Sequence, residues 1–107
     1  DLMIRQPAFV TTEVFRIFLD ATRKKKPNPW LEKLQLLQIE DGLCCQMLHL
    51  GPYDDEPASF ARMQAFCDQQ GYARVERTHR EIYLNDPRRV APEKIRTLLR
   101  FKVRLVS

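Results

Sequence analysis

Apolar positions change their period several times along the chain, and each change marks a new element. Leu2, Met3 and Ile4 open a short strand, Leu2–Gln6, which Pro7 closes. Val14, Phe15, Phe18 and Leu19 then recur at helical spacing and predict a helix near Thr12–Lys25. Thr11 or Thr12 can cap it, Glu13 favours its first turn, and Pro27 and Pro29 stop it. Two runs, Leu34–Glu40 and Leu43–Leu50, read as strands joined by Asp41-Gly42, a tight-hairpin pair. Phe60, Met63, Phe66 and Cys67 return to helical spacing and predict a helix over Pro57–Gln70, with Asp54-Asp55-Glu56 ahead of it and Gly71 as its left-handed terminator. Arg74–Leu84 is mainly strand, Pro92–Leu98 a short helical turn, and Leu99–Val106 a last strand.

Helices inserted between antiparallel strands predict an α+β domain, with an antiparallel sheet carrying its helices on one face and leaving the other free. Val14, Phe18, Phe60, Met63, Ile82 and Leu84 form the expected core. A faint internal echo runs through the chain, in which a strand ending in proline precedes a cap, a helix and a hairpin-like pair. The chain begins at Asp1 and enters an expected strand at once, so residues 1–107 are expected to be one domain forming the C-terminal part of a longer protein.

Composition narrows the classes. With 107 residues, 44% hydrophobic and 30% charged, the chain can bury a core and does not resemble a disordered sequence. No apolar run approaches a membrane span, and no signal-peptide pattern opens the chain. The three cysteines, Cys44, Cys45 and Cys67, show no metal-ligand spacing, which favours reduced thiols and a cytoplasmic protein without metal or cofactor. The net charge of +4 is mild, and Lys24-Lys25-Lys26 is explained by the end of the first helix, where positive charge meets the helix dipole. No recognition-helix pattern or aromatic-interleaved basic surface accompanies it, so direct nucleic-acid binding is not expected.

The chemistry concentrates in His79-Arg80-Glu81-Ile82-Tyr83-Leu84-Asn85-Asp86-Pro87. On a strand, His79, Glu81 and Tyr83 share one face, and Arg80, Ile82 and Leu84 the other. If Ile82 and Leu84 anchor the core, Glu81 and Tyr83 project from the free sheet face. A carboxylate beside aromatic rings suits a cationic or polarised small molecule; an ordinary exposed polar face is the alternative. His49 and His79 titrate near neutrality. Neither belongs to a Ser-His-Asp or Cys-His arrangement, and His49 is expected to make a structural hydrogen bond.

His49-Leu50-Gly51-Pro52-Tyr53, Gly71-Tyr72, Glu81-Ile82-Tyr83-Leu84-Asn85-Asp86-Pro87 and Pro92-Glu93-Lys94-Ile95-Arg96-Thr97 occur in the order seen in GyrI-like small-molecule-binding domains. The chain resembles that family from Gly42 to Val103, and Asp1–Asp41, with Pro27-Asn28-Pro29-Trp30, resembles its stand-alone branch. The resemblance implies two βαββ modules with a ligand cleft between them, the first incomplete here and completed by a missing N-terminal segment or a partner chain. It also implies that Glu81 and Tyr53 line the cleft. The expected ligand-binding set is Glu81, Tyr53, Tyr83, Trp30 and His79. Its partner is a small molecule or toxin, with Glu81 and Tyr53 as catalytic residues if the protein opens strained cyclopropane rings with water, as some members of the branch do. The alternative is a protein-binding regulator, such as a gyrase inhibitor or the effector module of a transcription regulator.

Overall fold

In a computed structural model that describes residues 2–106, the chain divides into two compact units, residues 1–39 and 40–107. The first holds α1, Thr12–Lys25, followed by a 3-10 turn, Pro29–Lys33. Thr11 caps α1 by accepting the Val14 N–H at 3.3 Å, Glu13 lies in the first turn, and Arg23, Lys24 and Lys25 lie in the last. These are the stabilising choices at each end of the helix dipole. Phe18, expected in the core, is exposed: α1 buries no residue.

Leu2–Gln6 and Leu34–Glu40 do not form strands. Their apolar pattern is suitable, but a strand exists only through ladder bonds to a neighbour, and neither stretch has one among the described residues. The Asp41-Gly42 hairpin therefore does not form. Asp41 has another role, turning its carboxylate onto two arginines of the sheet.

The second unit is a βαββ arrangement whose second strand is split into two short ones. It contains β1 (Cys44–Leu50), α2 (Glu56–Gln70), the short β2 (Tyr72–Arg74), β3 (Arg80–Tyr83) and the long β4 (Arg96–Leu105). All ladders are antiparallel and all involve β4, which lies between β1 on one side and β2 and β3 in succession on the other. The fold is α+β, as expected. Gly71 ends α2 at φ 79°, a left-handed conformation that only glycine adopts without strain.

One face of the sheet packs on α2. Thr97, Leu99, Phe101 and Val103 of β4 alternate into it, joined by Cys45 and His49 of β1, while Met63 and Cys67 come from the helix. Leu99 is completely buried at its centre.

The expected Arg74–Leu84 strand is broken in two, and the break decides which side chains face the helix. From Arg74 to Arg80 the chain advances six residues, while its partner on β4 moves only three, from Val103 to Arg100. The three surplus residues loop out, held by the Arg74 side chain donating to the carbonyls of Glu76, Arg77 and Thr78. An odd slip exchanges the two faces of everything that follows. Glu81 and Tyr83 consequently stand opposite Leu99 and Thr97, on the helix side. Ile82, opposite Leu98, faces the other way, and Leu84 is exposed. The expected alternation is present but the side is reversed: Glu81 does not project from the free face, and Ile82 and Leu84 do not anchor the core.

Candidate functional site

The sheet register and the start of α2 bring one polar cluster together within the second unit. β1 leaves the sheet through Gly51-Pro52, and a 3-10 turn, Tyr53–Asp55, leads directly into α2. His49, at the end of β1, is buried. Its Nδ1 lies 2.7 Å from Ser59 Oγ and its Nε2 2.9 Å from the Pro52 carbonyl. A carbonyl only accepts, so Nε2 carries the proton, and Ser59 donates to Nδ1. His49 thus pins the first turns of α2 to the Gly-Pro turn, the structural role expected of it.

Glu56 opens α2 and is the central residue that the sequence reading missed. It is only 7% exposed, and its Oε2 has no hydrogen-bond donor among the described residues. A buried carboxylate in that position is costly, whereas a neutral acid needs only an acceptor. Burial pushes the Glu56 pKa up to about 7, and a hydrogen bond to the neighbouring Glu81 carboxyl adds to the rise. Neutral Glu56 donates, and ionised Glu81 accepts.

Glu81 holds the opposite charge state. Burial alone would raise its pKa, but donors outweigh that effect and keep it below the usual carboxylate range. Glu56 is the largest of these, followed by His79, whose Nε2 is 3.3 Å from Oε1, and Tyr83, whose hydroxyl donates to Oε2 at 3.1 Å. Tyr83 in turn keeps its phenolic proton to higher pH, first because of that bond to Glu81.

Aromatic rings surround the pair. Tyr53 and Tyr83 meet edge to face with centroids 5.9 Å apart, and Phe60 of α2 lies 4.6 Å from the His79 ring. Thr97, fully buried between His49 and Tyr83 in the ladder, has no hydrogen-bond partner for its hydroxyl among the described residues.

Four of the five residues expected to bind ligand, Glu81, Tyr53, Tyr83 and His79, therefore belong to one cluster. Trp30 lies in the first unit, exposed, with the Lys33 ammonium 4.8 Å from its ring centroid. Glu56 was legible in principle, because Glu56, Phe60, Met63 and Cys67 share helical spacing, which places the carboxyl on the buried stripe of α2. No group of three or more metal-ligating side chains occurs among the described residues, and no described helix is long and apolar enough to cross a membrane.

A βαββ unit with a half-buried carboxyl pair walled by aromatic rings defines a small-molecule-binding module. The chain belongs to the GyrI-like small molecule binding domain family, whose model matches residues 9–104. Among solved structures it is similar to an uncharacterised conserved protein from Listeria innocua, with 42% identity and a TM-score of 0.86. It is also similar to two structures described as hydrolases from the same organism, each 40% identical, with TM-scores of 0.83 and 0.84. In each case 94% of this chain is covered, but only 50–52% of the other, so the chain spans about half the length of these neighbours. A search of curated proteins found no match.

Proposed function

We propose that the Glu56–Glu81 cluster binds aromatic or cationic small molecules, and that the protein to which this chain belongs uses it to open strained electrophilic rings, such as cyclopropanes, with water. The observation that carries this reading is the contrast between two carboxyls of the cluster: Glu56 is buried with no donor to its Oε2 among the described residues, whereas Glu81 is bonded by Tyr83 and His79, which drives the two toward opposite protonation states. Groups driven into opposite protonation states provide an acid and a base at one pH. The hydrolase descriptions of two Listeria innocua neighbours support a hydrolytic use of the site.

In the proposed reaction, Glu81 accepts a proton from water as the water oxygen bonds to a ring carbon. The electron pair of the breaking carbon–carbon bond moves into the substrate's electron-withdrawing group, where Glu56 delivers its proton. Proton return from Glu81 to Glu56 restores the pair. Tyr53, Tyr83 and Phe60 supply the ring faces that hold an aromatic substrate, and Tyr83 fixes the Glu81 carboxylate.

The test is incubation of the full-length protein with a cyclopropane-bearing alkylating natural product, followed by mass spectrometry of the water adduct. Glu81→Gln and Glu56→Gln should each lower turnover roughly a hundred- to ten-thousand-fold, the usual contribution of acid–base assistance. Unchanged turnover in both variants overturns the assignment of the pair. Binding without turnover in the native protein leaves a binding module.

A further inference from the structure

Thr97 is completely buried on the central strand β4, and its hydroxyl has no hydrogen-bond partner among the described residues. Glu56 Oε2 is the other buried side-chain atom in that condition. An unpaired hydroxyl and an unpaired carboxyl oxygen are each costly, and buried polar groups in folded proteins are almost always satisfied. We propose that the seam between α2 and the sheet holds an internal water molecule bound by Thr97, Glu56 and Ser59. The inference goes beyond the proposed function, because the water is bound whether or not the carboxyls do chemistry.

Three relationships bring these residues together. Thr97 stands directly across the ladder from His49 on one side and Tyr83 on the other. His49 Nδ1 lies 2.7 Å from Ser59 Oγ, which ties Thr97's neighbour on β1 to the helix above it. Ser59 and Glu56 are both buried and three residues apart on α2, so they are neighbours on the helix face turned to the sheet. The side chains beside Thr97 in the ladder are already committed elsewhere. His49 bonds Ser59 through Nδ1 and the Pro52 carbonyl through Nε2, and the Tyr83 hydroxyl donates to Glu81.

A water molecule satisfies both orphaned atoms with every proton assigned. It accepts from the Thr97 hydroxyl. One of its protons goes to Glu56 Oε2, which accepts whether the carboxyl is ionised or carries its proton on Oε1. The other goes to the Ser59 oxygen, whose own proton is directed at His49 Nδ1. The chain of bonds then ends on the Pro52 carbonyl. Three partners is the usual number for a buried water. A metal ion suits the place less well, since two of the three groups are neutral hydroxyls and no cluster of three or more metal-ligating side chains occurs among the described residues. With Thr97 fully buried, the water exchanges only when the seam opens, so it is long-lived.

A high-resolution crystal structure of the full-length protein should show a density peak about 2.7–3.2 Å from both Thr97 Oγ1 and Glu56 Oε2. Oxygen-17 relaxation dispersion gives a second readout, because it counts long-lived waters without interference from hydroxyl protons. Thr97→Val exchanges the hydroxyl for a methyl of similar size and removes the water's only donor, so the count should fall by one. Thr97→Ser should leave it unchanged. No peak, or a direct Thr97–Glu56 bond in its place, overturns the inference. A peak ligated at about 2.0–2.6 Å is a metal ion and overturns it as well. An equal count in the native protein and Thr97→Val detaches the water from Thr97 and does the same. If Thr97→Val does not fold, the native density decides alone.

Discussion

Glu81 on β3 stands directly opposite Leu99 on β4, so an ionisable side chain and the most deeply buried leucine of the sheet project from the same face. The pairing follows from the three residues looped out between Arg74 and Arg80, and it brings Glu81 against the first turn of α2 and Glu56. A strand running on from Arg74 without that slip would bring Thr78 opposite Leu99 and turn Glu81 to the opposite face. The site exists because of the slip.

The buried acid gives stability an unusual pH dependence. Glu56 ionises near pH 7 in the folded chain, against an ordinary value of 4.5. Between those values the folded state holds a proton that the unfolded state has lost, so stability falls as pH rises from about 4.5 to about 7 and levels off above. The drop is at most roughly 3 kcal/mol, since one pKa unit corresponds to about 1.4 kcal/mol. Asp41 and Glu81, both held below their ordinary range, act in the opposite sense and only at more acid pH. Urea unfolding midpoints across this range should show the decline, and Glu56→Gln should flatten it.

Tyr83 reports the charge on Glu81. Its hydroxyl donates to the carboxylate at 3.1 Å, and this bond is the main cause of its delayed ionisation. Spectrophotometric titration should find one tyrosine ionising above the ordinary range in the native chain. Glu81→Gln should bring that transition back down, because the amide no longer presents a negative charge. A transition that does not move would separate Tyr83 from Glu81.

Asp41 joins the chain entering β1 to the opposite edge of the sheet. Its carboxylate accepts from Arg80 Nε and Nη2 at 3.0 and 2.8 Å and from Arg100 Nη1 at 3.0 Å. Hydrogen bonding by Arg80 is the chief reason its pKa lies low. Asp41→Asn should cost about 1–3 kcal/mol at neutral pH, the usual range for leaving partly buried charged groups without their partner. Chemical denaturation measures this, and the deficit should shrink as native Asp41 becomes protonated in acid.

His49 should matter for stability as much as for the site. Replacing it with alanine leaves a cavity and strands the Ser59 hydroxyl and the Pro52 carbonyl, for a loss of roughly 2–4 kcal/mol. His49→Gln, which can in part replace both bonds, should lose less. Equal losses in the two variants would show that packing dominates over hydrogen bonding.

The sequence pattern carried the helices well, because their signals are local. Thr11, Glu13 and Pro27 bracket α1, and Pro57 and Gly71 bracket α2, within a residue of the expected bounds. Strands depend on partners, which a pattern does not contain: Leu34–Glu40 has the composition of a strand and no ladder among the described residues. The grouping of His79, Glu81 and Tyr83 was legible from alternation by two, but the face they share was not. That choice depends on the slip between β2 and β3, and no single residue announces it. Glu56 was hidden for another reason. An acidic residue at a helix start is so well explained by the helix dipole that its place on the stripe with Met63 and Cys67 was not read.

The most direct test of the account is residue-specific titration of the Glu56 and Glu81 carboxyl carbons by NMR. Glu56 should remain protonated to about pH 7, and Glu81 should ionise below the ordinary glutamate range. In Glu56→Gln, the amide can still donate to Glu81, so Glu81 should stay ionised at neutral pH. Two carboxyls that both titrate independently at ordinary glutamate values would contradict the shared proton, and with it the acid–base pair on which the proposed function rests.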